Sequence, residues 1–180
     1  LTPSTNPPGQ SRHEMDSVMP SDLLTADLSL LPARALPEPL PRIIRTDDLE
    51  PLARLYLISY PPGIGAGSHA EAISEIGVLR PGASLVAEAG GRPAGAVLTV
   101  ERSIWDEGLE GPFIIDLFVD PQLRGRGIGR ALMTGAMLAC RNAGDAQLSL
   151  RVGEGTSDAA HRLYGSLGFR RAGSPASRER

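Results

Sequence analysis

The chain has 180 residues, 41% hydrophobic and only 4% aromatic, so its core must be built mainly from Leu, Ile, Val and Ala. A formal charge of −3, from 18 basic and 21 acidic residues, lacks the basic excess of a nucleic-acid-binding surface. A single cysteine, Cys140, excludes an internal disulfide or cysteine metal cluster, His13, His69 and His161 have no metal-ligand spacing, and no apolar run approaches the ~20 residues that span a membrane.

Residues 1–41 hold eight of the sixteen prolines, a density that opposes helix and sheet hydrogen bonding. They are expected to form a disordered or loosely attached arm, with a short helix over Ser21–Leu31. The first residues carry neither the basic end nor the apolar stretch of a secretory signal, so a soluble cytoplasmic protein is expected. A domain is expected over 42–173, followed by a flexible tail, 174–180.

Arg42–Arg45 reads as a short strand. Thr46, Asp47 and Asp48 suit the N-cap of a helix carrying Leu49, Leu52, Ala53, Leu55 and Tyr56 at helical spacing, ended by Pro61-Pro62-Gly63. Gly63–Gly67 reads as a loop and 68–79 as a second helix. Ser84–Glu88 and Pro93–Val100, joined by Gly90-Gly91, read as a hairpin. Phe113–Val119 is almost continuously apolar, as in a central strand covered on both faces. In 128–142, Ile128, Ala131, Leu132, Gly135, Ala136 and Ala139 form one apolar helix face. Gln147–Val152 alternates as a strand, and 157–167 reads as a helix stopped by Gly168. The expected fold is mixed α/β, in the order β-α-α-β-β-β-α-β-α.

The turn between 113–119 and 128–142 carries the chemistry. Gly125, Gly127 and Gly129 allow a ligand to approach the backbone and let successive N–H groups face it. A helix starting at Ile128 adds unsatisfied N–H groups and the positive end of its dipole. Arg124, Arg126 and Arg130 add charge, and a pyrophosphate is the natural ligand. The dinucleotide fingerprint would need glycine where Arg130 stands, and the nucleotide P-loop needs a lysine. All 18 basic residues are arginine, so both alternatives fail, and no lysine can serve as base or Schiff-base nucleophile.

Arg124-x-x-Gly127-x-Gly129, within Val119–Leu132, closely resembles the acetyl-CoA motif of the GCN5-related N-acetyltransferase (GNAT) superfamily. Ala160-His-Arg-Leu-Tyr-Gly-Ser-Leu-Gly-Phe169 resembles the superfamily's second signature, and the likeness runs over about residues 42–170. The resemblance implies the acyl-CoA N-acyltransferase fold and an acetyl-CoA-dependent N-acetyltransferase that needs no metal and no protein nucleophile. It implies that amides from Gly125 through Arg126, Gly127, Ile128 and Gly129 to Arg130 hold the CoA pyrophosphate. The strand edge at Leu117, Phe118 and Val119 would pair with pantetheine where the strands splay. Tyr164 would protonate the leaving thiolate. Asp116, a carboxylate in an apolar strand, would attract the amine or take its proton through water, or would bond neighbouring backbone or an arginine. Regular alternation puts Asp116 on one face with Ile114 and Phe118.

The sequence departs from the pattern at Ser157, where the superfamily often has asparagine; a serine there still caps the helix and keeps a weaker pantetheine contact. It also ends early: the superfamily usually adds two strands after Phe169, and Arg170–Arg180 provides at most one. A truncated sequence, a strand from a partner, or an exposed edge at 147–152 would each follow. An exposed edge invites pairing, so a homodimer is expected. Cys140 reads as a small semi-buried side chain and His161 as part of a solvated helix face. His69 and Glu71 are candidates for the acceptor pocket, and Trp105 is expected to line the same pocket or cap the core. Net acidity leans toward cationic acceptors such as polyamines, aminoglycosides or a protein N-terminus. A non-catalytic acyl-CoA-binding module on the same fold is the alternative.

Overall fold

The computed structural model describes residues 22–32, 38–60, 73–74, 76–153 and 155–171. The described strands are β1 (Asp22–Asp27), β2 (Arg42–Ile43), β3 (Leu85–Ala89), β4 (Arg92–Val100), β5 (Phe113–Val119), β6 (Gln147–Val152) and β7 (Arg170–Arg171). They form one sheet in the order β2-β3-β4-β5-β6-β1-β7. The helices are α1 (Leu49–Ser59), α2 (Ile128–Asn142) and α3 (Asp158–Ser166). Of the helix expected over 68–79, Ile73, Ser74 and Ile76 are helical. His69, Glu71, the loop at 63–67, the breaker Pro61-Pro62-Gly63, most of the proline-rich arm and the tail lie outside the described residues.

Both sheet faces are covered, as the apolar β4 and β5 require. On one side Leu85, Val97 and Ile114 pack against Leu132, Met133, Ala136 and Met137 of α2 and against Tyr164 and Phe169. On the other, Val86, Ala96, Leu98 and Phe118 pack against Leu52, Ala53, Leu55 and Tyr56 of α1. The β3–β4 hairpin turns at Gly90 and Gly91, with φ of 59° and 73°, a left-handed pair that favours glycine at both positions. Asp48 stands at the N-cap of α1, but its carboxylate accepts from Arg42 (2.7 and 2.8 Å) and from the Arg45 backbone N–H.

The short helix expected over Ser21–Leu31 is corrected: Asp22–Asp27 is a strand, followed by one 3-10 turn, Leu28–Leu30. Leu24 and Ala26 both face the α2 core, the alternate spacing of a strand, and Leu28 of the following turn joins the same core. β1 runs antiparallel to β6 from Asp22↔Val152 to Asp27↔Gln147, and the Thr25 and Ser149 hydroxyls bond across the pair at 2.9 Å. Part of the stretch read as a loose arm therefore belongs to the sheet. The edge of β6 that motivated the homodimer is occupied by the chain's own β1, with β7 pairing beyond it at Leu24↔Arg171 and Thr25↔Arg170. Leu28 is fully buried, so Leu28→Ala is expected to cost about 2–5 kcal/mol, read as a lower midpoint in urea unfolding.

Candidate functional site

β5 and β6 are parallel and pair at only two positions, Phe113↔Ser149 and Ile114↔Leu150. Beyond them the strands part and leave a cleft of about 800 Å³. One wall is β5 from Ile114 to Val119; Leu150, Arg151 and the start of α3 form the other, and the glycine turn closes the end. The turn is built as its glycines require: Gly125 and Gly127 have φ of 76° and 82°, a region costly for any residue with a Cβ. Gly127 is the N-cap of α2 and has no side chain to cap it, and no acidic residue occupies the first helical turn. The first N–H groups of α2, which have no partner within the helix, thus meet the cleft with the dipole's positive end and suit an anion.

The expected site residues come together here, with one exception. Leu117, Phe118, Val119, Arg124, Gly125, Gly127, Ile128, Gly129, Arg130, Ser157, Asp116 and Tyr164 all line the cleft; Arg126 is exposed on the turn and is not among the lining residues. The arginines are largely engaged in holding the structure. Arg124 donates to the carbonyls of Val119 (3.2 Å) and Ser59 (2.6 Å), tying the turn to the end of α1. Arg130 donates to the Ser166 hydroxyl at 2.8 Å. The Ser157 hydroxyl caps α3 by accepting from Ala160 N–H at 3.2 Å.

Asp116 is placed by a bulge. Leu98 pairs with Asp116 and Thr99 with Ile114, so Ile115 is an extra residue in β5. Such a bulge re-aims the neighbouring side chains. The expectation that Asp116 shares a face with both Ile114 and Phe118 is corrected: Ile114 belongs to the α2 core, whereas Phe118 and Ile115 pack on the α1 side. Asp116 is met there by Tyr60, whose hydroxyl donates a hydrogen bond to Oδ1. Tyr60 follows α1, escaped the sequence reading, and carried as its only signal an aromatic at a helix end before Pro61. Burial, then the Asp116 charge, raises the Tyr60 phenol far above its ordinary range. Tyr164, 9% exposed, is pushed up to about 12, first by burial and then by the Asp116 charge. Both phenols are therefore protonated donors at neutral pH.

A second cavity, of about 540 Å³, adjoins the first, and Tyr56, Ile115 and Asp116 line both. Trp105, expected in the acceptor pocket or capping the core, lines this cavity and packs edge-on against Phe113 at 5.8 Å. His161 is exposed. Cys140 is fully buried rather than semi-buried, and burial raises its thiol to about 11, which suits a packing side chain and not a nucleophile. No described helix is long and apolar enough to cross a membrane.

Comparison with known proteins agrees with this architecture. The acetyltransferase (GNAT) family profile matches residues 49–169. The chain is similar to a mycothiol acetyltransferase of Thermobispora bispora, with 45% identity over 67 residues, 36% of this chain and 22% of that protein. The match thus spans about a fifth of that relative's length. Among solved structures, a GCN5-related N-acetyltransferase from Sphaerobacter thermophilus superimposes with a TM-score of 0.65 at 22% identity, over 84% of this chain and 48% of that one. AAC(6')-Iy, in complex with the bisubstrate analogue CoA-S-monomethyl-acetylneamine, superimposes with a TM-score of 0.58 at 20% identity, over 78% and 96% of the two chains. At these identities the structural matches speak for the fold, and they share it.

Proposed function

The chain belongs to the acetyltransferase (GNAT) family, and on that premise we propose that it is an acetyl-CoA-dependent N-acetyltransferase whose acceptor is a primary amine. The observation that carries this reading is the cleft that opens where β5 and β6 part and ends on the uncapped glycine turn. Acetyl-CoA would supply a thioester that the amine attacks directly. Amides from Gly125 to Arg130 hold the pyrophosphate, and the cleft-facing edge of β5 at Leu117–Val119 aligns the pantetheine amides as an added strand. Ser157 borders that arm. Asp116 draws the ammonium toward the cleft and accepts its proton, directly or through water, while the Tyr60 hydroxyl holds the carboxylate in place.

Tyr164 serves the leaving sulphur. With its phenol near 12, full transfer of the proton to a thiolate of ordinary pKa, about 8.5, is uphill. Tyr164 therefore stabilises the developing thiolate mainly as a hydrogen-bond donor, and the net proton comes from the amine. The reading is tested by thiol release from acetyl-CoA with a panel of primary amines. At least one amine is expected to accelerate release well above the rate with acetyl-CoA alone. Binding of acetyl-CoA without amine-dependent release would instead mark a non-catalytic acyl-CoA-binding module.

A further inference from the structure

From the second cavity, and resting on the acetyltransferase reading, we infer that the acceptor is a small primary amine carried on an apolar, preferably aromatic, body. The described walls are mostly apolar: Val78, Leu98, Val100, Ile104, Trp105 and Ile115, with Ser74 among them and Tyr56 at the junction to the first cleft. Three of these side chains are far more exposed than their chemistry favours, Val78 at 75%, Ile104 at 73% and Trp105 at 59%. Large hydrophobic side chains converging on one open cavity mark a binding surface. Its volume of about 540 Å³ falls within the range typical of small-ligand sites.

The wall is preformed. The Ser103 hydroxyl accepts from the Trp105 backbone N–H at 3.2 Å and donates to Asp106 at 2.7 Å. Arg151 Nε donates to both Asp106 carboxylate oxygens, at 3.1 and 3.0 Å. The segment carrying Ile104 and Trp105 is thereby clamped to β6, and Phe113 braces the indole from within.

Charge completes the selection. Asp116 is the one carboxylate among the described lining residues, and it stands where the cavity meets the cleft. One ammonium can be neutralised there while the rest of the molecule lies on the apolar wall. Among the described lining residues only Ser74 and Tyr56 offer polar groups besides Asp116, so a polyamine or an aminoglycoside would bury most of its further ammonium or hydroxyl groups against Val, Leu and Trp, which is costly. The overall acidity of the chain leans toward cationic acceptors in general, and the described local surface favours one that carries a single ammonium.

Trp105 is the only tryptophan in the chain, so its emission reports occupancy of this cavity without turnover. The test titrates the CoA-loaded protein with 2-phenylethylamine, spermidine and neamine, and measures acetyl transfer to each. A saturable change in emission is expected with 2-phenylethylamine alone, together with a kcat/KM at least about tenfold above that for spermidine, the value of burying one such ring. Ile104→Glu, a substitution at an exposed position, is expected to lower kcat/KM for 2-phenylethylamine about tenfold or more and to leave acetyl-CoA affinity unchanged. Preference for spermidine or neamine, or no response to 2-phenylethylamine, overturns the inference, while amine-dependent acetyl transfer to any acceptor keeps the acetyltransferase reading standing. Failure to bind acetyl-CoA in calorimetry overturns that reading, and this inference with it.

Discussion

Tyr164→Phe is expected to lower kcat by about 10²–10³-fold, with the acetyl-CoA dissociation constant and the melting temperature unchanged. The ring packs against Phe169 with centroids 6.0 Å apart, and phenylalanine keeps that contact, so the loss isolates the hydroxyl. Its magnitude is that of one preorganised donor aimed at developing charge in a site shielded from water. The pH profile carries a second signature. Burial and the Asp116 charge raise the phenol to about 12, which favours its protonated form. In the wild type no decline in rate belongs to Tyr164 until the pH climbs toward that value. An unchanged kcat in the variant would mean that the hydroxyl does not serve the leaving group.

Gly127→Val is expected to weaken acetyl-CoA binding by about 5–150-fold, the equivalent of the ~1–3 kcal/mol that a side chain costs in this backbone region. A Cβ at Gly127 would meet nothing nearer than the Glu38 carbonyl, at 3.9 Å. Space is therefore not the obstacle; the φ of 82° is. A β-branched residue relieves the strain by turning the peptide out of the left-handed region, which re-aims the first N–H groups of α2. Calorimetry reads the loss of affinity, and circular dichroism should show helix content retained. Unaltered affinity would place the pyrophosphate elsewhere.

What could be read from the sequence was local. The Gly90-Gly91 turn, the apolar face of α2 and the capping serine at 157 each record a short-range requirement, and β3–β4, α2 and α3 formed where those signals lay. Gly125, Gly127 and Gly129 were legible for the same reason, since backbone conformation itself selects glycine. What escaped was decided by partners distant in sequence. β1 is a strand because β6, more than a hundred residues later, offers an edge with Ser149 opposite Thr25. The bulge at Ile115 arises from the register between β4 and β5 and parts Asp116 from the face of Ile114. Tyr60 gained a place in the site only when α1 packed on that face, and no spacing rule links it to Asp116.

The parted strands and the glycine turn together form the proposed seat of the cosubstrate. Calorimetric titration of the wild-type protein with acetyl-CoA tests that claim most directly. Saturable binding at one molecule per chain, sharply weakened in Gly127→Val, is the predicted result. No binding heat and no acetyl-CoA-dependent rise in melting temperature would contradict it.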